Sequence, residues 1–241
     1  MLSLKHRSEE KEIMDDFSRE GEVVHQTLRE LHAINTYLGG NQLSIHALRE
    51  LHKRHALSDY SIADLGCGGG DMLRLFDQWS RKQNLALKLT GIDANYHICE
   101  YARTNCREIH SVDIQPFDIF SEAFASQTFD IVHCSLFLHH FTDDEIIRLF
   151  TQLKSQARLA IVINDLHRHA VSYYFTKYLI TRWSRSEMVR YDSVVSVARS
   201  FKRHELVSYL QAAGMKDYSL RWRWAYRWEL VISMTDQRLF T

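Results

Sequence analysis

Four of the nine glycines in this chain of 241 residues fall within residues 64–71, at positions 66, 68, 69 and 70. Glycine destabilises regular helices and strands, so it concentrates where the backbone turns sharply or approaches a ligand closely. An apolar segment precedes this run, and a segment of helical character follows it. A strand, a glycine-rich turn and a helix in this order form the nucleotide site of open α/β sheets, with the ligand at the carboxyl end of the strand.

The residues after this run alternate between strand-like and helical patterns. Strands are predicted at residues 61–65, 87–93, 110–113, 129–134, 159–164, 216–220 and 221–233, and helices at 71–83, 96–106, 143–156 and 204–213. Strands that alternate with helices indicate parallel pairing. The predicted fold class is therefore α/β, with a doubly wound, seven-stranded and mostly parallel sheet of Rossmann-like type.

Two segments outside this alternation are predicted to be helical. Residues 1–58 contain apolar positions at helical spacing, and about 50 residues after Asp165 pass without a strand pattern, which is long for a connection between sheet elements. We therefore expect an N-terminal helical cap over residues 1–58. The α/β domain then covers residues 59–241 and carries a helical insertion at about 165–200.

The last predicted strand carries an unusual aromatic alternation. Trp222, Trp224, Tyr226 and Trp228 alternate with polar residues, followed by Leu230 and Ile232 in the same phase. Such a pattern is typical of a half-buried strand. We expect the tryptophan face to lie in the core, since stacking of tryptophans on single-stranded nucleic acid would require an exposed face.

Composition restricts the partners and the compartment. Lys+Arg and Asp+Glu balance at 30 each, which argues against a nucleic-acid partner. The sequence contains no apolar run that could span a bilayer, and its N-terminus lacks the apolar core of a signal peptide. Four cysteines without paired spacing predict free thiols in a reducing cytoplasm, and 14 histidines without ligand spacing predict no zinc site. A monomer and a homodimer both remain open.

The residue that ends the glycine run discriminates between cofactors. Gly66 and Gly68 fit the dinucleotide fingerprint, but Asp71 stands where that pattern has a small residue near a pyrophosphate. A carboxylate there repels phosphate. It is better tolerated beside a ligand that carries positive charge and no phosphate, which opposes a nucleotide oxidoreductase.

Four segments of the chain resemble the motifs of class I S-adenosylmethionine-dependent methyltransferases, in the order in which that family has them. They are residues 64–71, 89–93, 111–114 and 129–141. The resemblance implies that Asp64 orients the ammonium group of the cofactor, Asp93 binds the ribose, Asp113 meets the adenine amine and Ile114 packs on the ring. The implied product is S-adenosylhomocysteine. The cofactor-binding positions implied are Asp64, Gly66, Cys67, Gly68, Gly70, Asp93, Ala94, Asp113, Ile114, Cys134 and His139.

Candidate residues for catalysis and acceptor binding follow the fourth and fifth predicted strands. His140 is a candidate base beside the expected methyl group, or part of a loop that shields the cofactor. Asp165 and His167 are expected to form a carboxylate–imidazole pair, or else to be a helix cap and a solvated neighbour. Arg168 is a candidate for binding an acidic group of the substrate. Tyr173 and Tyr174 belong to an aromatic cluster that predicts either a wall for a planar acceptor or an ordinary helix core.

Segments near both ends resemble a narrower group of bacterial small-molecule methyltransferases that accompany polyketide or aromatic-product biosynthesis. These segments are residues 12–16, 35–40, 164–169 and 196–201. The resemblance implies O-methylation of a small, hydrophobic, hydroxylated acceptor, and C-methylation of an electron-rich ring would use the same site. The alternatives are methylation of RNA or protein, and a non-catalytic module that keeps the fold as a binding or scaffold protein.

Overall fold

A seven-stranded sheet lies at the centre of the protein, whose computed structural model describes residues 4–234. The strands are β1 (Asp59–Leu65), β2 (Ala86–Ile92), β3 (Val112–Gln115), β4 (Phe129–Ser135), β5 (Ala157–Leu166), β6 (Tyr218–Arg223) and β7 (Arg227–Ser233). Their order across the sheet is β3-β2-β1-β4-β5-β7-β6. Strands β1 to β5 are parallel, and β7 runs antiparallel to both β5 and β6. The predicted α/β class with a mostly parallel sheet is confirmed.

Helices flank the sheet on both faces. They are α1 (Glu22–Tyr37), α2 (Gly40–His55), α3 (Asp71–Gln83), α4 (Tyr96–Cys106), α5 (Glu122–Ala125), α6 (Asp143–Gln156), α7 (Ala170–Phe175), α8 (Thr181–Trp183), α9 (Glu187–Arg199) and α10 (Arg203–Ala212). The predicted bounds of α3, α4 and α6 coincide with the observed ones. Local signals explain this accuracy, since Asn95 caps α4 and Thr142 forms a capping box with Glu145 at the start of α6.

The two N-terminal helices occupy different places. Helix α2 packs against β5 and β7, and its apolar face, which includes Ile45, Leu48 and Leu51, belongs to the core on one side of the sheet. Helix α1 packs against α2 and α9 and lies nearer the carboxyl ends of the strands. The segment from α7 to α9 follows β5 as helices, with a π-helical turn at Thr176–Ile180. No helix within residues 4–234 has both the length and the hydropathy needed to cross a bilayer.

The expected tryptophan-faced strand at residues 221–233 is instead the end of β6, a turn and the whole of β7. Strand β6 ends at Arg223, which pairs with Arg227, so residues 224–226 form a turn that interrupts the alternation. Trp228 is buried, whereas Trp222 and Trp224 are 46% and 72% exposed. The prediction was wrong for these two tryptophans because Trp224 lies in the turn, and Trp222, although it pairs with Trp228 across the hairpin, lies on the edge strand β6.

Candidate active site

A cavity of about 1230 Å³ opens at the carboxyl ends of the parallel strands. Strand order reverses between β1 and β4, and open α/β sheets bind their ligands at such a switch point. The cavity is lined by the glycine loop, by residues between 6 and 17 and by the segment after β4. Its volume exceeds the roughly 300–1,000 Å³ of typical small-ligand pockets, so it has room for a cofactor and a second molecule.

The glycine loop is a tight turn between β1 and α3. Gly66 and Gly68 have φ angles of +66° and +51°, in the left-handed region that favours glycine. The backbone N–H groups of Gly66 and Cys67 both donate to the carbonyl of Ile92 on the neighbouring strand. A Cβ atom at Gly66 would lie 2.2 Å from the ring of Phe137. The loop therefore requires glycine, and its backbone borders the cavity.

Asp93 follows β2 directly and borders the cavity beside this loop. Its carboxylate accepts hydrogen bonds from the backbone N–H groups of Gly68 at 3.3 Å and Asn95 at 3.0 Å. Burial raises the pKa of this carboxyl group against the effect of those two donors. A carboxylate has about four acceptor positions, so two remain for the hydroxyl groups of a ribose. This arrangement fits the predicted role.

Asp64 is held by a histidine that the sequence did not suggest. Nδ1 of His133, on β4, donates to Asp64 at 2.7 Å, and its Nε2 lies 2.8 Å from the hydroxyl of Ser44 on α2. All three residues are buried. Asp64 also borders the cavity, so its carboxylate is oriented from behind by one imidazole. Such fixed orientation suits the binding of an ammonium group.

Four other predicted cofactor residues divide between the cavity and the core. Cys67 and Ala94 border the cavity. Gly70 lies behind the loop, where a Cβ atom would approach Sγ of Cys106 to 2.7 Å. Cys134 is part of the buried core beneath the site. Hence only the first two are placed to contact a ligand.

The acid predicted to meet adenine lies inside a strand. The sequence placed the third strand at residues 110–113, but β3 runs from Val112 to Gln115, so Asp113 is within it. Its exposed carboxylate accepts a hydrogen bond from the Gln115 side chain at 2.7 Å, and Ile114 is buried in the core. The cavity edge is instead formed by residues 117–120, which include Asp118. The two-residue shift of the strand explains the difference.

Asp71, the residue that opposed a dinucleotide, borders the cavity at the N-terminus of α3. Its carboxylate lies 3.2 Å from Nδ1 of His32 on α1. Burial raises the pKa of Asp71, and His32 opposes that rise. The carboxylate therefore adds negative potential to the cofactor end of the cavity.

A cluster of imidazoles and carboxylates lies around the loop after β4, where His140 and Asp15 border the same cavity. Nδ1 of His139 donates to Asp165 at 2.7 Å, and Nδ1 of His140 donates to Asp15 at 2.7 Å. The Nε2 atoms of both histidines face the carboxylate of Glu12, at 3.4 Å and 3.9 Å. Glu12, His139 and Asp165 are buried, whereas His140 and Asp15 border the cavity. We call these five residues the acceptor-end cluster.

The carboxylates of this cluster control its protonation. Burial acts to lower the pKa of His139, but Asp165 and Glu12 outweigh burial and raise that pKa to about 10. Burial likewise acts to raise the pKa of Asp165 and of Glu12, and the two histidines bring both below their usual values. His139 is thus an imidazolium held between two carboxylates.

Two arginines tie the N-terminal segment to this end of the cavity. Nε of Arg199, at the end of α9, donates to the carbonyl of His139 at 3.0 Å, and its Nη1 donates to that of Glu10 at 2.8 Å. Nη2 of Arg7 donates to the carbonyl of Phe141 at 2.7 Å, while Nε donates to that of Arg199 at 2.7 Å. Residues 7–15 are therefore held over the carboxyl end of β4.

The expected pair of Asp165 with His167 does not form among the described residues, because Asp165 bonds to His139 instead. Strands β4 and β5 are neighbours, so the loop after β4 brings His139 to the end of β5. His167 packs against Tyr226 and Trp228, and burial lowers its pKa to about 4. These surroundings do not support a role for His167 as the base.

The predicted acceptor-binding residues lie outside the cavity. Arg168 is 1% exposed, and its guanidinium contacts Glu205 and the carbonyls of Leu4 and Ser200. Tyr173 is buried against α9, which matches the helix-core alternative. Tyr174 is 53% exposed, on the outer surface of the insertion. Arg168 therefore serves packing of the chain rather than a substrate group.

Sequence reasoning missed the members of the cluster that come from the N-terminus. Glu12 and Asp15 lie in the acidic stretch at residues 12–16, which had suggested only a family resemblance. That stretch, coming just before a 3₁₀ helix at Ile13–Asp15, was the available signal. Its approach to His139 and His140 spans more than a hundred residues of chain and required the structure.

Comparison with known proteins agrees with this geometry. A family model described as a methyltransferase domain matches residues 62–158. A crystal structure of an S-adenosylmethionine-dependent methyltransferase from Aquifex aeolicus aligns with a TM-score of 0.57 at 14% identity, over 79% of this chain and 88% of that chain. The plantazolicin methyltransferase BpumL in complex with S-adenosylhomocysteine aligns with a TM-score of 0.58 at 17% identity, over 86% and 84%.

A third solved structure covers still more of the chain. Magnesium protoporphyrin IX methyltransferase from Synechocystis PCC 6803, with bound S-adenosylmethionine, aligns with a TM-score of 0.55 at 14% identity, over 92% of this chain and 89% of that chain. No curated protein matches the sequence. Identities this low establish the shared fold, while the matched domain and the loop geometry identify the cofactor. Residues 62–158 therefore form a methyltransferase domain, and the chain has the fold of solved S-adenosylmethionine-dependent methyltransferases.

Proposed function

We propose that the protein methylates a hydroxyl group on a small, hydrophobic, aromatic or polyketide-like acceptor. The observation that carries this proposal is that apolar side chains line the same cavity as the exposed edge of the acceptor-end cluster, formed by His140 and Asp15. Residues with apolar side chains that border the cavity include Met14, Phe17, Leu31, Phe137 and Phe141. Pockets for small molecules combine such walls with a few polar groups that orient the ligand.

The residues at this end are suited to remove a proton. When bound, the cofactor supplies a methyl group on a positively charged sulfur. His140 donates Nδ1–H to Asp15, so its Nε2 carries the lone pair and can accept the proton of an acceptor hydroxyl. Asp15 fixes this tautomer and stabilises the imidazolium that forms. His139 and Asp165 lie behind His140 and hold the loop after β4.

Composition and structural neighbours support a small acceptor. The balanced charge of the chain opposes an RNA acceptor. The aligned structures include methyltransferases named for plantazolicin and for a magnesium porphyrin, and a domain of the citrinin polyketide synthase. Residues 12–16 and 196–201, which had suggested the small-molecule group, both lie beside the acceptor-end cluster. A cytoplasmic location accords with four buried free cysteines.

The test is a panel of phenolic acceptors, each paired with its own methyl ether. S-adenosylhomocysteine release would be followed together with the mass and fragmentation of the product. We expect turnover of the phenol and none of the ether, because the ether lacks the hydroxyl. If both the phenol and its ether were methylated on a ring carbon, the reaction would be C-methylation and the proposal of O-methylation would be wrong. Binding of S-adenosylmethionine without transfer to any acceptor would favour the non-catalytic alternative.

A further inference from the structure

The two ring nitrogens of each histidine in the acceptor-end cluster have different surroundings. Accepting a proton from a hydroxyl group does not by itself require this difference. On the Nδ1 side, His139 and His140 each contact a carboxylate at 2.7 Å, the distance of a charge-assisted hydrogen bond. On the Nε2 side, both face Glu12 at 3.4 Å and 3.9 Å, which is longer than such a bond. The Nε2 atoms of both histidines and the Glu12 carboxylate are therefore close together but do not form short hydrogen bonds with one another.

We propose that Glu12, His139 and His140 form a binding site for a divalent transition-metal ion of the Zn²⁺ type. Their ligand atoms all lie within 4.8 Å of one another. Metal–ligand bonds of about 2.0–2.1 Å in tetrahedral geometry separate neighbouring ligand atoms by about 3.3 Å. The observed 3.4 Å between Nε2 of His139 and Oε1 of Glu12 matches that separation. Two histidines and one glutamate leave a fourth position for water or substrate.

The outer contacts of the histidines agree with this assignment. Histidines that bind a metal almost always donate the other ring nitrogen to a carboxylate or carbonyl, which fixes the tautomer and the ring orientation. Here Asp165 and Asp15 supply those carboxylates, one to each ring. The rings of His139 and His140 stack with centroids 4.5 Å apart, and both Nε2 atoms face the carboxylate of Glu12.

Charge also favours a cation at this position. Four carboxylates approach the cluster, from Glu12, Asp15, Asp165 and Asp192, whereas two guanidinium groups, of Arg7 and Arg199, bond the adjoining backbone. Buried carboxylates are costly unless they are paired or coordinate a metal. An ion that binds would displace the Nε2 proton of His139, and that proton would pass to solvent.

The ion would act at the acceptor end of the cavity. His140 and Asp15 border the cavity, so the open coordination position would face it. A hydroxyl oxygen bound there would lose its proton to solvent more readily, because the metal lowers the pKa of its ligand. This inference rests on the proposed function for its substrate but not for its geometry. The ion and the proton of the acceptor would compete for the same lone pair on His140.

The expectation of no zinc site does not bear on this cluster. That expectation used short spacing along the chain, such as two cysteines or two histidines a few residues apart. Glu12 comes from a segment more than a hundred residues before His139 and His140. The sequence shows only that the two histidines are adjacent, and two adjacent histidines are not a recognised metal-ligand pattern.

The test uses the full chain after dialysis against a chelator. Co²⁺ is added, and its visible absorption and calorimetric heat are measured. We expect a single ion per chain with the absorption of a four- or five-coordinate site, and displacement of Co²⁺ by Zn²⁺. Glu12→Gln and His140→Gln should weaken binding by more than the roughly 10–100-fold expected for the outer variant Asp15→Asn. The exposed His110→Gln is the matched control and should bind as the wild type does.

Two results would overturn the metal site. One is a folded chain, shown by normal S-adenosylmethionine binding, that gives no Co²⁺ absorption. The other is Co²⁺ binding that is unchanged in Glu12→Gln and His140→Gln. If the chelated protein also methylates the phenol at the full rate, the proposed function stands and the metal site falls. If Co²⁺ binds as expected and no phenol is methylated, the metal site stands and the acceptor class falls.

Discussion

The cofactor end and the acceptor end of the same cavity are built from different kinds of sequence. The cofactor end is formed by turns that follow consecutive strands, so its residues fall within about sixty positions, from Asp64 to Phe120. The acceptor end joins residues 12–15, 139–140 and 165 with the end of α9. Local motifs therefore locate the first, whereas only packing of distant segments forms the second.

Replacing His140 tests whether the acceptor end performs chemistry alone. His140→Gln should lower turnover by about 100-fold or more, because general acid–base groups contribute roughly 10²–10⁴-fold. Affinity for S-adenosylmethionine should stay within about two-fold, since no bond to the cofactor loop is changed. Turnover is measured with a phenol that the wild-type protein methylates, affinity is measured by calorimetry, and His110→Gln serves as the control. If turnover and affinity for S-adenosylmethionine fell by the same factor, the two ends of the cavity would not have separate functions.

Replacing Arg168 tests whether this residue supports the acceptor end or binds substrate. Arg168→Met leaves Glu205 without its buried partner and should lower the free energy of unfolding by about 3–5 kcal/mol. Denaturant unfolding checks the value, and Glu205→Leu in the same chain should recover part of it. A stable variant whose only defect is a raised KM for acceptor would instead restore the substrate role.

Replacing Asp93 tests the cofactor end. Asp93→Ala should weaken S-adenosylmethionine binding by about ten-fold or more, since hydrogen bonds to a charged group are worth roughly 1.5–3 kcal/mol. Calorimetry gives the affinity, and the thermal midpoint reports whether the loop stays folded. Unchanged affinity would remove the ribose assignment.

Replacing Asp118 and Asp113 separately tests which of these two acids lies beside the adenine ring of the cofactor. Asp118→Ala should weaken cofactor binding by several-fold, about 1 kcal/mol for one hydrogen bond at an exposed site, because residues 117–120 border the cavity. Asp113→Ala should change it less than two-fold, about 0.4 kcal/mol, because that side chain lies on β3. The opposite order of effects would return the adenine contact to Asp113.

His167 should make stability depend on pH without affecting either end. Its pKa is about 4 in the folded chain and about 6.5 when unfolded, so the unfolded chain takes up the proton first. Stability should therefore fall as pH decreases from about 6.5 to about 4. His167→Gln should show a shallower fall in denaturant unfolding between about pH 7 and pH 5. Parallel curves for the two proteins would contradict the lowered pKa.

Elements bounded by local signals were predicted closely. Helices α3, α4 and α6 begin and end where the sequence places them, because caps and apolar spacing act within a few residues. Strand β3 was displaced by two residues because its four positions carry little alternation, and this displacement misplaced Asp113. The turn at residues 224–226 was missed because alternation continues across it in the sequence.

The sequence by itself determined the glycine loop, the acids Asp64 and Asp93 at strand ends, and hence the class of cofactor. These features depend on backbone conformation and strand order, which neighbouring residues encode. Tertiary structure decided that Asp165 pairs with His139 and that Glu12 and Asp15 complete the acceptor end. Such contacts join segments separated by 26 residues or by more than a hundred, and no local pattern records which distant side chains will meet.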